Sequence, residues 1–405
     1  MKPLMTFICL IINILIVAND TIPEQVTGNN RLQLLNQYAA DFLKSNPEKS
    51  REYAFQAKQL AEALNNFEEL ANSLNYIGLT YYNEGKYDEA INFFQHAIKA
   101  SLRSGRKSNV ANMFQKIGMA YLQMNNYEKT KFYYQQAITV YEQLDYPDLL
   151  AKTLYEQGVV YYLSSDFSES ITVLDKSIEL YDRLNNRRGK AKSLAQQAMA
   201  YEALGNFKKA LILYQEAYQI QNQFANRDHM AFLLNHIGIV YQKMRLTNEA
   251  ANSFKQALEI CESDYWELKA SIRIGLGNTY MEGKKYEAAA DEFYKALEML
   301  DKINSRQIKA DLYQSLYQLN QALGDNKKAL EFFQKYVEFR DKNGTNNNLA
   351  RTSIENSAQS NTENLTPIIL SVVLNFVLLI IVVRLMQKNK RLKELLIEHN
   401  IGQDQ

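Results

Sequence analysis

A pattern returns about every 40 residues along most of this chain. Gly78, Gly118, Gly158, Ala198, Gly238 and Gly277 are each followed three residues later by a tyrosine: Tyr81, Tyr121, Tyr161, Tyr201, Tyr241 and Tyr280. A further copy places Tyr317 and Asn320 in the same two slots. Twelve residues after the small residue stands another small side chain (Ala90, Thr130, Ser170, Ala210, Ala250, Ala289, Ala329), and four beyond that a bulky apolar one (Phe94, Tyr134, Leu174, Tyr214, Phe254, Phe293, Phe333). Self-similarity at a fixed period in this range means a solenoid, so most of the chain is one repeating surface rather than a pocketed enzyme domain.

The spacings within one copy are helical. Leu74, Ile77, Gly78 and Tyr81 fall at i, i+3, i+4 and i+7, and Ala90, Phe94 and Ala97 at i, i+4 and i+7, so each group forms one face of a helix and each repeat holds two. Between the two helices, stretches such as Asn83-Glu84-Gly85-Lys86, Gln123-Met124-Asn125-Asn126 and Ala203-Leu204-Gly205-Asn206 carry the Gly and Asn that allow a left-handed turn. With only 5 Pro and 15 Gly in 405 residues and no alternating run, an all-α fold is expected. The small slots let two backbones approach, and the rings fill the gap between neighbouring helix pairs.

These slots resemble the tetratricopeptide repeat, whose signature runs aromatic-x2-Leu-Gly-x2-Tyr, then Ala-x3-Phe, then Pro. Seven copies match, beginning at Ala71, Ala111, Ala151, Ala191, Ala231, Ala270 and Ala310, and a weaker one lies upstream at Tyr38, Ser50, Ala54 and Ala57. The first aromatic is replaced by residues such as Leu74 and Arg273, and the closing Pro is absent, so the second helix is free to run longer than in a 34-residue repeat. HEAT or armadillo repeats share the longer period but lack the Gly-x2-Tyr and Ala-x3-Phe slots. The resemblance implies a right-handed superhelical solenoid of about eight helix-turn-helix repeats over residues 26–340, with first helices lining a concave groove for a peptide or protein partner. Carried onto this chain, the groove slots are Asn75, Leu79 and Tyr82; Gln115, Met119 and Leu122; Tyr155 and Tyr162; Glu202; Asn235 and Gln242; and Gln314, Gln318 and Gln321. The amides among them are expected to hydrogen-bond the main chain of an extended ligand. The groove lacks a Lys or Arg cluster, so capture of a free carboxylate is not favoured over main-chain recognition.

The ends of the sequence suggest where such an array works. Lys2 precedes an apolar run from Leu4 to Val17, the layout of a signal peptide over residues 1–18. A second apolar run, from Leu365 to Val383, has the length of a membrane span and sets a transmembrane helix expected over residues 365–386. Arg384, Lys388, Lys390, Arg391 and Lys393 follow it, which places the tail (387–405) in the cytoplasm and the repeats outside, anchored in the cytoplasmic membrane. Residues 341–364, rich in Asn, Ser and Thr, read as a polar linker or stalk. Leu385 and Leu392 sit one heptad apart in the basic tail, so pairing with a cytoplasmic helix or self-association is open beside a plain solvated tail.

Net charge is +1, which argues against a nucleic-acid partner. The four histidines lack metal-ligand spacing, Gly275-Leu276-Gly277 has no strand before it, and Cys261 reads as a small core residue, so no enzyme activity, cofactor or metal is expected. Signal, long-period repeats, single span and basic stub together resemble the exported sensor half of Bacteroidetes-type membrane histidine kinases and transcription regulators. This chain ends where their output domain would begin. Two readings follow: a membrane-anchored binding or sensory component acting through a partner, or a structural scaffold for envelope assembly.

Overall fold

Turns recurring every 20 residues, twice per repeat, set the frame of the structure. The computed structural model describes residues 26–262 and 264–341, which hold sixteen α-helices, one 3-10 turn and no strand. The helices are α1 (Gly28–Ser45), α2 (Pro47–Ala63), α3 (Phe67–Asn83), α4 (Tyr87–Arg103), α5 (Lys107–Gln123), α6 (Tyr127–Gln143), α7 (Pro147–Leu163), α8 (Phe167–Arg183), α9 (Arg187–Ala203), α10 (Phe207–Gln223), α11 (Arg227–Lys243), α12 (Thr247–Ile260), α13 (Trp266–Glu282), α14 (Tyr286–Leu297), α15 (Arg306–Ala322) and α16 (Asn326–Asp341). Among the described residues no helix is long and apolar enough to cross a membrane. The expected signal peptide, span and tail, and the linker beyond Asp341, lie outside them.

Backbone φ is positive at Asn65, Gly85, Gly105, Asn125, Asp145, Ser165, Asn185, Gly205, Ala225 and Arg245, each 20 residues after the last. Each closes a helix in the same way. At the end of α3, Gly85 N–H donates to Tyr82 O at 3.0 Å and Lys86 N–H reaches back to Tyr81 O at 2.9 Å, and Asn65 and Asn66 repeat this with Glu62 O and Ala61 O at the end of α2. These bonds satisfy carbonyls that a helix end leaves orphaned. The next helix is started by the residue after the turn: Asn66, Asn126, Asn186, Asn206 and Asn226 each accept a backbone N–H from three residues on.

The chain divides into two compact units, one up to Lys285 and the other from Tyr286. In the first, each helix packs against its successor, and first helices also meet across a repeat (α1 with α3, α7 with α9, α11 with α13), whereas no second helix makes comparable contact with the next second helix. First helices therefore form one layer and second helices the other. The regular period ends at α12, which stops at Ile260; Cys261 then turns extended (φ −68°, ψ 123°) and is buried in the core, as its sequence context suggested. In the second unit α14 is short and gives way to a 3-10 turn at Leu300–Lys302 before α15 and α16 pair.

Steric fit at the glycine slots holds each pair. Phe94, Tyr134, Leu174, Tyr214 and Phe254 are fully or almost fully buried. A Cβ added to Gly78 would lie 2.6 Å from Phe94 Cε1; on Gly118, 2.5 Å from Tyr134 Cδ1; on Gly158, 2.5 Å from Leu174 Cγ; and on Gly238, 2.7 Å from Phe254 Cε1. The Phe254 ring also fills the space over the next first helix, where a Cβ on Gly275 would meet it at 2.6 Å. In the second unit Phe293 is buried, while the last copy departs from the pattern: Phe332 is buried and Phe333 only half so.

Gly158→Leu is expected to overpack its pair and to cost about 1–3 kcal/mol or more. Gly283→Ala, whose Cβ meets nothing closer than 3.6 Å, is expected to be nearly neutral. Thermal melts check both, and equal melting of Gly158→Leu and the parent would contradict the packing.

Candidate functional site

On each first helix of the first unit, one arc faces the second helices and the opposite arc is left to solvent. In α3, Ala71, Leu74, Ile77 and Gly78 are buried in the core, while Asn72, Asn75, Leu79 and Tyr82 are half-buried and Asn83 is exposed on the other side. The same arc recurs on α5, α7, α9 and α11 because the repeat is 40 residues long.

The amide slots on this arc bind the next repeat. Lys116 Nζ donates to Asn75 Oδ1 at 2.6 Å, tying α5 to α3, and Gln115 Nε2 donates to Glu156 Oε2 at 2.5 Å, tying α5 to α7. Gln115 is only 7% exposed and Asn235 only 4%, so neither presents its amide to an extended ligand. Gln242 Nε2 points at Gly275 O, 3.5 Å away on α13. Glu202 sits in a related seam: it accepts from the Tyr214 hydroxyl at 3.0 Å, and His236 Nδ1 lies 3.2 Å from that hydroxyl and 3.5 Å from the carboxylate. The His236 ring stacks on Tyr214 and packs against Phe232. Burial first, then the Glu202 charge and its hydrogen bond, raise the Tyr214 pKa. Burial, then the same charge, raises that of Tyr162. Tyr155 is shifted upward likewise by burial and by Glu156.

Along its centre the arc leaves an apolar row open. Leu79, Val159, Met199 and Ile239 are half-buried and Met119 is 37% exposed, one residue from each of five successive first helices. Tyr82, Leu122 and Tyr162 lie beside this row, also half-buried. In the second unit Gln314, Gln318 and Gln321 are exposed on α15. Elsewhere, a shallow pocket at the ends of α8 and α10 holds Lys190, which is paired with Asp182 at 2.8 Å and with Glu216 at 3.4 Å, a self-satisfied charge cluster. Among the described residues no group of three His, Cys, Asp or Glu could hold a metal ion.

Lys116 and Glu156 carry no motif in the sequence, yet they share one repeat slot with His236, a histidine without metal-ligand spacing: Glu156 lies 40 residues after Lys116 and His236 80 after Glu156, each one place after the groove slot. Among the described residues no carboxylate pairs with Lys116. Burial, then the like charge of Lys152, pushes its pKa down to about 8 from an ordinary 10.5. Between those values the unfolded chain holds a proton that the folded chain has lost, so folding gains stability as pH rises through that window and bears the full cost of the buried charge below it. Lys116→Met is accordingly expected to melt higher than the parent at pH 7, with the gap closing as pH rises from about 8 toward 10.5. Melts across that range check it; a gap independent of pH would contradict it.

The family model described as tetratricopeptide repeat matches residues 69–143, 149–223, 191–263 and 228–302, together more than half of the chain. No curated protein matches by sequence. Among solved structures, the apo form of RapI is 16% identical with a TM-score of 0.66, covering 81% of this chain and 89% of that one. The apo form of the quorum sensor NprR from B. thuringiensis is 12% identical with a TM-score of 0.58, covering 76% of this chain and 87% of its own. A tetratricopeptide repeat protein from Parabacteroides merdae is 18% identical with a TM-score of 0.50, covering 70% of this chain and 98% of that one. At these identities the structures bear on the fold alone, and with the family match they agree: the chain belongs to the tetratricopeptide repeat family.

Proposed function

We propose that this chain is a membrane-anchored, extracytoplasmic interaction module that binds a peptide or protein partner on the open face of its first helices and acts through that partner as a sensory or signalling component. The observation that carries the reading is the unpaired apolar row from Leu79 to Ile239, repeated once per first helix on the face that the second helices do not cover. A row of half-exposed apolar side chains spanning five helices is larger than scattered surface residues and is the usual mark of an interaction site. The tetratricopeptide repeat fold is consistent with protein–protein interaction, and one structural neighbour, NprR, is a quorum sensor. The apolar run at 365–383 and the basic residues after it support anchoring with the tail in the cytoplasm.

Two measurements test this reading. Capture of a partner from cell envelopes by the full chain is expected to fall at least tenfold with Met119→Lys or Met199→Lys, and to survive Lys99→Ala and Lys176→Ala on the second helices; equal loss from both sets would place the interaction elsewhere. A cysteine at Ser357 is expected to react with a membrane-impermeant thiol reagent in outer-membrane-permeabilised cells, and one at Gln403 to stay unlabelled. The reverse pattern would invert the topology.

A further inference from the structure

Resting on the interaction reading above, we propose that the open face of the first unit takes an amphipathic α-helix whose apolar stripe lies along the row Leu79, Met119, Val159, Met199 and Ile239 and whose acidic residues lie along one flank. Three features of the face lead there. Two of its amides are already committed, Asn75 to Lys116 and Gln115 to Glu156, and Asn235 is 4% exposed, so at these slots the main chain of an extended ligand finds few donors and acceptors to replace those it loses from water. What a partner gains on this face is burial of apolar side chains.

The second feature is spacing. Packed helices lie about 8–10 Å apart, so the row offers one apolar side chain at about that interval. A helix laid across the row rises about 10.5 Å per seven residues and returns the same face at each heptad. An extended strand brings residues back to one face every two residues, about 6.6 Å, and falls out of step. The width agrees as well. From the Asn72 slot to the Asn83 slot is eleven residues along a first helix, about 16 Å, room for a helix about 10–12 Å across with a polar margin on either side.

The third is charge. Lys152 and Lys192 stand exposed in the Asn72 slot on α7 and α9, along the edge formed by the first halves of the first helices, with Lys116 just behind. Lys152 meets Glu156 only at 3.7 Å, and Lys192 and Lys116 have no carboxylate partner among the described residues. The opposite edge has no such cluster: the corresponding Asn83, Gln123, Leu163 and Ala203 are uncharged, and Lys243 on α11 stands alone at its end. An acidic flank on the partner would complement the lysine edge and fix which way the helix lies. Two methionines in the row, Met119 and Met199, suit a face that must fit the unequal side chains of a partner helix.

The test is selection of a display library of random peptides about 20 residues long, enough to cross about 30 Å as a helix, on the full chain. Selected peptides are expected to carry apolar residues at i, i+3 or i+4, and i+7 with Asp or Glu along one side, to become helical on binding by circular dichroism, and to lose at least tenfold affinity when Met119→Lys or Met199→Lys is introduced. The double variant Lys152→Glu, Lys192→Glu is expected to weaken them tenfold or more and to favour versions with the acidic flank changed to lysine. Peptides that the methionine variants weaken but that carry a proline-rich or unpatterned consensus would overturn the helical partner while leaving the face intact. Binders insensitive to the methionine variants, or no binders, would overturn the binding face itself.

Discussion

Everything in this structure depends on a close contact made without a side chain. The glycine on four of the first helices leaves room for the bulky residue sixteen places later, so Phe94, Tyr134, Leu174 and Phe254 bury themselves directly on the backbone at Gly78, Gly118, Gly158 and Gly238. Interiors packed to crystal density tolerate little change in volume at such a point. With that contact set, the core-facing arc of each first helix is fixed, and so is the arc left outside. Where Ala198 replaces the glycine, its partner Tyr214 is still fully buried, and its hydroxyl joins Glu202 and His236 at the seam between α9 and α11.

The seams between first helices then decide which side chains the open face leaves exposed. A repeat array is held by contacts between neighbours alone, so polar residues at the junctions serve register before they serve a ligand. Asn75 and Gln115 do so through Lys116 and Glu156, each 41 residues on. The cost of the arrangement is Lys116, an ammonium half-buried beside Lys152 and depressed toward pKa 8. Natural proteins retain such strained charges where another requirement outweighs stability, and on this face an anionic partner would supply the missing compensation.

The helix pairs and their core were legible in the sequence because they rest on local sterics: a small residue, a tyrosine one turn on, a bulky residue sixteen away. The likeness of both turns in each repeat was not, since Ser165, Ala225 and Arg245 adopt positive φ without belonging to the residue types that announce it. Nor was the shortening of α12 at Ile260, where the repeat loses its 20-residue turn spacing. The groove slots expected from the sequence lie on first helices, and two of their amides, Asn75 and Gln115, are engaged within the array itself. Asn75 and Gln115 look available within a single repeat, and only the next repeat, one slot out of line, holds the groups that bind them. Met119 and Leu79 are among those slots too, and both stand in the apolar row that the second helices leave uncovered.

Site-specific photocrosslinking in living cells addresses that face most directly. A benzoylphenylalanine placed at Met119, in the apolar row of α5, is expected to crosslink a discrete partner, whereas the same residue at Phe132, exposed at 57% on α6, is expected to crosslink none. A partner captured from Phe132 and not from Met119 would contradict the central claim that the first-helix face is where this protein binds.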